Sequence, residues 1–464
     1  MQHHSINKVE HRLHGKFPKC IIVMVGLPAR GKTFIARRLA RYFDWIGLRT
    51  KVFNVGNYRR KMFPNNSESS FFDTNNVEGR SRRLKCALQA LSDLSNWLEK
   101  GGDVAIFDAT NTTRERRGLI IQKCVTNQNR EILFVESICD DDQVINNNVQ
   151  SVKLSSPDYE NVPEDKANKD FNERINNYRD HDVGRRFVVN KISGVVAGRA
   201  VYFLMNTHIM PRSIYISRTA ETIRHQQNQF GSDSTLSERG KEYVSKMTSY
   251  ILDQNIQDLV VWASEDNSAQ ETVKELEKAK IPVETWRALN ELNAGLCSSL
   301  SYKEIATKYG NELALRDNDK FHFRYPMGES YEDLVYRLEP VIMELERAEN
   351  IVVVARLAVV RCILGYFLNL SSEEIPYINV HLHTLIKLTP NTYGCQQEDL
   401  TFDVDIIDTY RAKPRNCSPS RTLAEALETT PNLLSEKDFD RSSKTEENEL
   451  DHVNNTNTID IMDF

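Results

Sequence analysis

The sequence predicts an α/β fold, two domains in succession with a mostly parallel sheet in the first, and three observations predict it. Apolar runs of strand length alternate with segments of helical period. Between the first such strand and the first helix lies Gly26-Leu-Pro-Ala-Arg-Gly-Lys-Thr33. A second alternation begins near Ser213 and runs to about Arg411, where the composition changes.

The first strand is Cys20-Ile-Ile-Val-Met-Val25, and Phe34–Phe43 carries apolar residues at helical spacing. Strand, glycine loop and helix together form the setting of a phosphate-binding P-loop. Gly26 and Gly31 let the backbone turn its N–H groups inward, and the helix N-terminus adds partial positive charge. Lys32 then reaches the terminal phosphates, and the Thr33 hydroxyl holds Mg²⁺. Lys51–Val55 reads as a second strand ending at Gly56. Arg80–Lys100 reads as a long helix with Leu84, Ala87, Leu88, Leu91 and Leu94 on one stripe, closed by Gly101-Gly102. Val104–Phe107 and Ile132–Val135 are further strands. Strands alternating with helices give a parallel sheet that binds ligands at its carboxyl edge.

Asp108 emerges at that edge. A carboxylate there organises Mg²⁺ and an attacking hydroxyl, or it caps the next helix. Arg59-Arg60, the group Arg80, Arg82 and Arg83, and the run Arg114-Glu-Arg-Arg117 reach the same edge, with Thr110 beside the last. Each cluster alone reads as a solvated face; three beside a P-loop read as a cradle for a small phosphorylated acceptor.

In the second block Ser213–Ser217, Leu259–Trp262 and Ile351–Val354 are strands. Residues 412–464 are rich in Ser, Thr, Asn, Asp and Glu and poor in aromatics, which predicts a mostly disordered acidic tail. The resulting division is 1–18 flexible, 19–210 first domain, 211–411 second domain and 412–464 tail. In that tail Ser418-Pro419 and Arg441-Ser-Ser443 are candidate phosphorylation points, or the segment merely solubilises. A net charge of −5 marks no general nucleic-acid binder, and the eight cysteines form no CxxC pair. With no apolar leader and no run of membrane-spanning length, the expectation is a cytoplasmic protein with reduced thiols.

Gly26–Thr33, Phe53-Asn-Val-Gly-Asn-Tyr-Arg-Arg60, Phe107-Asp-Ala-Thr-Asn-Thr-Thr-Arg-Glu-Arg-Arg117, Glu136-Ser-Ile-Cys139 and Ser156-Pro-Asp-Tyr159 resemble the kinase half of the bifunctional 6-phosphofructo-2-kinase/fructose-2,6-bisphosphatase family. The resemblance runs from about Ile21 to about Arg411. It implies ATP-dependent phosphorylation of fructose 6-phosphate at the 2-hydroxyl, giving fructose 2,6-bisphosphate, a regulator of glycolysis. It implies ATP in the loop Gly26, Leu27, Pro28, Ala29, Arg30, Gly31, Lys32 and Thr33, with Asn148, Val149, Gln150, Ser151, Val152 and Lys153 along the nucleotide. Fructose 6-phosphate would meet Arg59 or Arg60, Arg83, Thr110, Arg116, Arg174 and Tyr178. Lys32, Thr33, Asp108, Cys139 and Lys153 form the implied catalytic set, with Mg²⁺ on Thr33 and Asp108; chemically Cys139 suits the nucleotide wall better than a nucleophile. Where the family has a loop and a strand after the position of Tyr178, only Arg179-Asp-His181 precedes Asp182-Val-Gly184.

The second half resembles the family's bisphosphatase, a phosphoglycerate-mutase-like histidine phosphatase. That chemistry needs a histidine nucleophile in Arg-His-Gly-Glu, and this chain reads Arg218-Thr-Ala-Glu221. A threonine hydroxyl with no evident base is a poor nucleophile at neutral pH. Arg356 replaces the partner histidine, Leu357 a glutamine, Ser268 an arginine and His225 an asparagine. Arg218 and Glu291, the implied proton donor, remain, as do Tyr302, Arg316, Lys320, Tyr331, Arg361 and Tyr393, which would still bind bisphosphate. His225 and His383 lie off the motif position for a replacement base. Two readings follow: a kinase with a degenerate, inactive phosphatase site, or a regulatory pseudoenzyme that binds ATP or fructose 2,6-bisphosphate without turnover. No nucleic-acid or membrane partner is expected, and a homodimer is left open.

Overall fold

The computed structural model describes residues 18–64, 69–73, 75–124, 130–139, 194–207, 212–226, 234–391, 394–406 and 410–430. Asn148–Lys153, Ser156–Tyr159, Arg174, Tyr178, the short connection before Asp182, Tyr393 and Arg441–Ser443 lie outside them.

The first sheet has the order β2-β3-β1-β4, all parallel, from β1 (Lys19–Val25), β2 (Thr50–Asn54), β3 (Val104–Asp108) and β4 (Arg130–Glu136). Six consecutive buried residues, Cys20–Val25, suit β1 to the interior of a sheet covered on both faces. The chain leaves β1 at the carboxyl edge, turns through the glycine loop, and enters α1 (Lys32–Trp45). The second strand stops two residues before Gly56. The Asn54 side chain accepts from the Asn57 amide at 3.1 Å and so starts α2 (Val55–Met62). The long helix α3 (Val77–Glu99) starts earlier than Arg80 because Asn76 caps it, accepting from Gly79 at 2.7 Å. Its buried face is Ala87, Ala90, Leu91, Leu94 and Leu98; Leu84 and Leu88 are 41% and 36% exposed, because they sit off that stripe by more than half a quarter-turn. Gly101, at φ 99°, takes the left-handed position that ends the helix. Helices α4 (Arg114–Cys124) and α5 (Val195–Met205) complete the described part of this half.

The second sheet is mixed, with order β10-β9-β5-β8-β6-β7. Strands β5 (Ile214–Arg218), β6 (Val260–Ala263), β7 (Val283–Thr285) and β8 (Ile351–Ala355) pair in parallel. Strands β9 (Thr384–Pro390) and β10 (Cys395–Thr401) add an antiparallel edge. Around them lie α6 (Ile223–Gln226), α7 (Glu238–Asp253), α8 (Asn267–Lys278), α9 (Tyr302–Lys308), α10 (Gly310–Asn318), α11 (Tyr331–Arg347) and α12 (Leu357–Leu368). One hydrophobic cluster joins Met24, Leu39, Phe43 and Ile46 of the first half to Ile342, Leu345 and Phe367 of the second. No helix of the described residues is long and apolar enough to cross a membrane.

The expected tail does not begin at 412. Residues 410–430 pack onto the second half, ending in α13 (Leu423–Leu427), which Thr422 and Glu425 close with a capping box. The buried Asp317 carboxylate accepts from Arg411 at 2.6 and 2.9 Å and from Arg421 at 2.8 Å. These charged bonds hold Asp317 below its ordinary range against the upward push of burial. Average composition hid two arginines that act at one buried carboxylate. Ser418 lies within this strap, its hydroxyl 2.8 Å from that of Ser420. Because Arg421 and Arg316 still face the buried carboxylate, Arg411→Ala removes charged hydrogen bonds without stranding the charge and is expected to lower unfolding free energy by about 1.5–3 kcal/mol. Denaturant unfolding of the full chain checks this; a loss under about 1 kcal/mol, the range of a surface pair, would contradict it.

Candidate active site

The loop after β1 needs conformations that most residues avoid. Gly26 has φ 137°, and a Cβ there would lie 2.4 Å from the Ser137 carbonyl oxygen, so only glycine fits. Its amide donates to the Thr110 carbonyl at 2.9 Å, and the Ser137 amide donates to Val25 at 2.8 Å. The Ser137 hydroxyl donates to the Arg30 carbonyl. The segments after β3 and β4 therefore clamp the loop from both sides. This places Ser137 directly against the loop. Gly31 at φ 74° forms the turn into α1, and Ala29 is also left-handed, at φ 58°.

Lys32 opens α1, is buried, and folds its ammonium onto the Leu27 carbonyl at 2.5 Å. Burial pulls it down to about 8, and Asp108 opposes that shift. Asp108 ends β3 and is also buried. Its Oδ2 accepts from Thr33 at 2.8 Å and from the Asn54 amide at 2.5 Å. Burial raises its carboxyl, while Thr33, Lys32 and Asn54 oppose the rise. Asp108 is thus committed to the loop and does not cap α4; the Arg116 amide of that helix bonds Thr113 Oγ1 at 3.1 Å. The pairing of Thr33 and Asp108 offers two hard oxygens side by side, a set that suits Mg²⁺ completed by phosphate oxygens.

The three arginine clusters divide. Arg59 is buried with its guanidinium 5.7 Å over the Phe72 ring, and Arg83 donates to the Phe71 carbonyl and, at 3.4 Å, to Asp73. Arg59 of α2 and Arg116 of α4 both act on the Cys86 thiol of α3, partly offsetting the upward push of burial. Arg59 and Arg116, from two helices, thus lie close enough to Cys86 of a third for their charges to be felt there. Arg60 instead bonds Asn57 at 2.6 Å, Arg82 pairs with Glu78 on its own helix, and Arg80 and Arg114 are exposed. Arg117 holds the loop after β3, donating to Asn111 and Thr112 carbonyls at 3.1 and 2.6 Å. Asn54, Asn111 and Ser137 were missed by sequence reasoning. Their signal was position, at or within three residues of a strand's carboxyl end; Asn111 adopts φ 47° and donates to the Met24 carbonyl at 2.8 Å.

The second pocket sits at the carboxyl ends of β5 and β8, where register sets Arg218 opposite Ala355. Thr219 and Arg356 follow side by side, and the Thr219 amide donates to Ala355 at 3.0 Å. Arg356 Nε lies 3.7 Å from a Glu291 carboxylate oxygen, and the two form an ion pair. His225 Nδ1 accepts from the Thr222 amide at 3.2 Å, which leaves its proton on Nε2. Burial first, then Arg218, Arg356 and His383, keep that ring neutral, well below its ordinary range. His383 is buried and stacked 4.9 Å from the Tyr243 ring. Its Nε2 is taken by the Glu221 amide at 3.3 Å, and burial pulls it down to about 4.

Beyond them lies a cationic pocket. Arg361 donates to Ile378 at 2.8 Å and reaches the Tyr331 hydroxyl at 3.4 Å; Arg316 donates to the Tyr325 hydroxyl at 2.5 Å. Lys320 donates to the Pro376 carbonyl at 2.8 Å, and burial with Arg361, Arg316 and Arg411 holds it well below its ordinary range. Tyr302 lies 5.9 Å from the Arg316 guanidinium and 5.2 Å from that of Arg411, a member sequence reasoning missed.

Family models match both halves: 6-phosphofructo-2-kinase over residues 9–211, and the histidine phosphatase superfamily (branch 1) over residues 214–402. The chain is 46% identical over 437 residues to a 6-phosphofructo-2-kinase/fructose-2,6-bisphosphatase of Gallus gallus, covering 90% of this chain and 92% of the relative. It is 45% identical over 452 residues to that of Aquarana catesbeiana, covering 92% and 95%. Against 6-phosphofructo-2-kinase/fructose-2,6-bisphosphatase 4 of Rattus norvegicus it is 47% identical over 430 residues, covering 89% and 91%. With a P-loop kinase half and a histidine-phosphatase half joined in this order, the chain belongs to the 6-phosphofructo-2-kinase/fructose-2,6-bisphosphatase family.

Proposed function

We infer that this protein transfers the terminal phosphoryl group of ATP to the 2-hydroxyl of fructose 6-phosphate, and that its second half no longer hydrolyses the product. The observation that carries the first statement is the Lys32–Thr33–Asp108 arrangement under the glycine loop. Loop amides and the start of α1 receive phosphate oxygens, and Lys32 trades its bond to the Leu27 carbonyl for one to a phosphate. Thr33 and Asp108 would hold Mg²⁺, which supplies charge neutralisation on the transferring group. Arg59, Arg83 and Arg116 bind the sugar phosphate, with Thr110 fixed beside the loop through Gly26. Fixing donor and acceptor in line supplies most of the rate. The carry-over of Asn148–Lys153, Arg174 and Tyr178 rests on motif identity.

The single test is a kinase assay of purified protein with ATP, Mg²⁺ and fructose 6-phosphate, read as fructose 2,6-bisphosphate formed. ATP binding without transfer would favour the regulatory reading instead. The pH profile adds a further check. Lys32 in the free protein is cationic below about pH 8 and neutral above. Since only the cation attracts triphosphate, kcat/KM for ATP is expected to fall as pH rises through about 8. Bound phosphate raises the lysine again, so kcat holds to higher pH. A flat kcat/KM from pH 7 to 9.5 would contradict this role.

The second pocket keeps cations and loses its nucleophile. That combination favours binding of bisphosphate at Arg218, Arg316, Lys320 and Arg361 without turnover.

A further inference from the structure

Helix α1 has two jobs at its two ends. Its first residues, Lys32 and Thr33, serve the phosphate loop. Arg38 and Arg41 lie six and nine residues on, about 9 and 14 Å along the axis at 1.5 Å per residue. Both are buried and both reach one carboxylate, Glu346 of α11, in the second half of the chain. Arg41 meets Glu346 Oε1 at 2.8 Å, Arg38 pairs with Oε2, and Arg212 of the connection between the halves lies 3.6 Å from Oε2. The Tyr366 hydroxyl donates to Oε1 at 2.5 Å. A second tie lies alongside: the Tyr42 hydroxyl donates to Glu339 of α11 at 2.7 Å, and Arg199 of α5 pairs with the same carboxylate.

Glu346 is 0% exposed and sits on α11 among the buried Leu338, Ile342 and Leu345, with Glu339 two turns earlier on the same face. A carboxylate on that face is costly unless cations meet it there. Three arginines meet it, and two of them come from the helix that carries the phosphate-binding residues. Burial lowers Arg38 to about 9 and Arg212 to about 10, with Tyr366 opposing the shift, so both remain cationic at neutral pH.

We propose that Glu346 is a positioning residue for phosphoryl transfer: through Arg38 and Arg41 it fixes α1, and with it Lys32 and Thr33, against the second half of the chain. The phosphatase-like half thereby serves the kinase reaction as the anchor of its phosphate-binding helix, whatever its own pocket does. The proposal rests on the P-loop reading above. An apolar contact tolerates sliding of α1 along its axis; a buried carboxylate shared by two residues one turn apart does not, because either shift leaves a guanidinium unpaired.

The test is Glu346→Gln in the full chain, which keeps shape and hydrogen bonding and removes the charge. The expected result is a rise in KM for ATP of tenfold or more, with KM for fructose 6-phosphate within twofold of wild type. A merely structural role predicts otherwise, since partial unfolding lowers kcat in proportion to folded protein and leaves KM alone. Arg337→Ala is the control. It removes ties to Glu329 and to the Ala288 and Asn290 carbonyls inside the second half, so it should lower the melting temperature without moving KM for ATP. Should Glu346→Gln fail to fold, Tyr366→Phe removes one donor to the carboxylate and should raise KM for ATP two- to fivefold. Unchanged KM for ATP in a folded Glu346→Gln, or in Tyr366→Phe where that is the folded variant, overturns the proposal. Lys32→Met separates the two readings: if it abolishes turnover while Glu346→Gln matches wild type, only the anchor fails.

Discussion

Lys32→Met is expected to reduce phosphoryl transfer at least about 10³-fold, roughly 4 kcal/mol of transition-state stabilisation. The lysine is the one cation that α1 delivers into the loop, and its ammonium stands on the Leu27 carbonyl, poised to exchange that partner for phosphate. Methionine keeps the length and apolar body of the side chain and drops the charge. Burial already works against that charge, which is why Lys32 sits near 8. The same substitution should therefore leave the thermal midpoint unchanged or slightly raised. Activity and stability moving in different directions is the signature sought: steady-state turnover and a thermal melt on one preparation measure both. Turnover equal to wild type would sink the assignment of the loop, and a collapse of the melt would show that Lys32 is structural.

Hydrolysis of fructose 2,6-bisphosphate by the unmodified chain is expected to be absent, several powers of ten below that of an enzyme with its nucleophile. Among the described residues Thr219 has a backbone tie to Ala355 and no base bonded to its hydroxyl, and His225 gives its unprotonated nitrogen to the Thr222 amide. Arg356 cannot exchange protons at neutral pH and lies beside Glu291. Restoring Thr219→His alone should give little, because the acid remains paired and the partner imidazole is missing. Thr219→His with Arg356→His and Ser268→Arg should give more: Glu291 is released from Arg356, and the buried Ser268 position regains a phosphate-binding cation. Phosphate release, with a search for acid-labile phosphohistidine in the triple variant, decides it. Hydrolysis by wild type would require a nucleophile at another position.

The chain's order of elements and its glycine loop were legible in the sequence, since each is a local pattern: a period, a glycine spacing. Local reading also placed Asp108 at the sheet edge but could not choose between a metal carboxylate and a helix cap. That it does not cap the helix was decided by the Thr33 and Asn54 side chains, which come from two other elements. It named three arginine clusters without saying which member of each turns inward, because a one-residue step on a helix is a rotation of about 100° and only packing fixes the phase. Leu84 and Leu88 were put on the wrong face of α3 for the same reason. The strap from 410 to 430 was invisible to composition, since its order comes from Asp317, almost a hundred residues earlier. Glu346 belongs to no motif or spacing that the sequence singled out. Only the tertiary structure, by burying it against Arg38 and Arg41, ties the second half of the chain to the helix that holds phosphate. Periodicity and motifs are properties of neighbours along the chain; desolvation and pairing are properties of neighbours in space, and those decided the site.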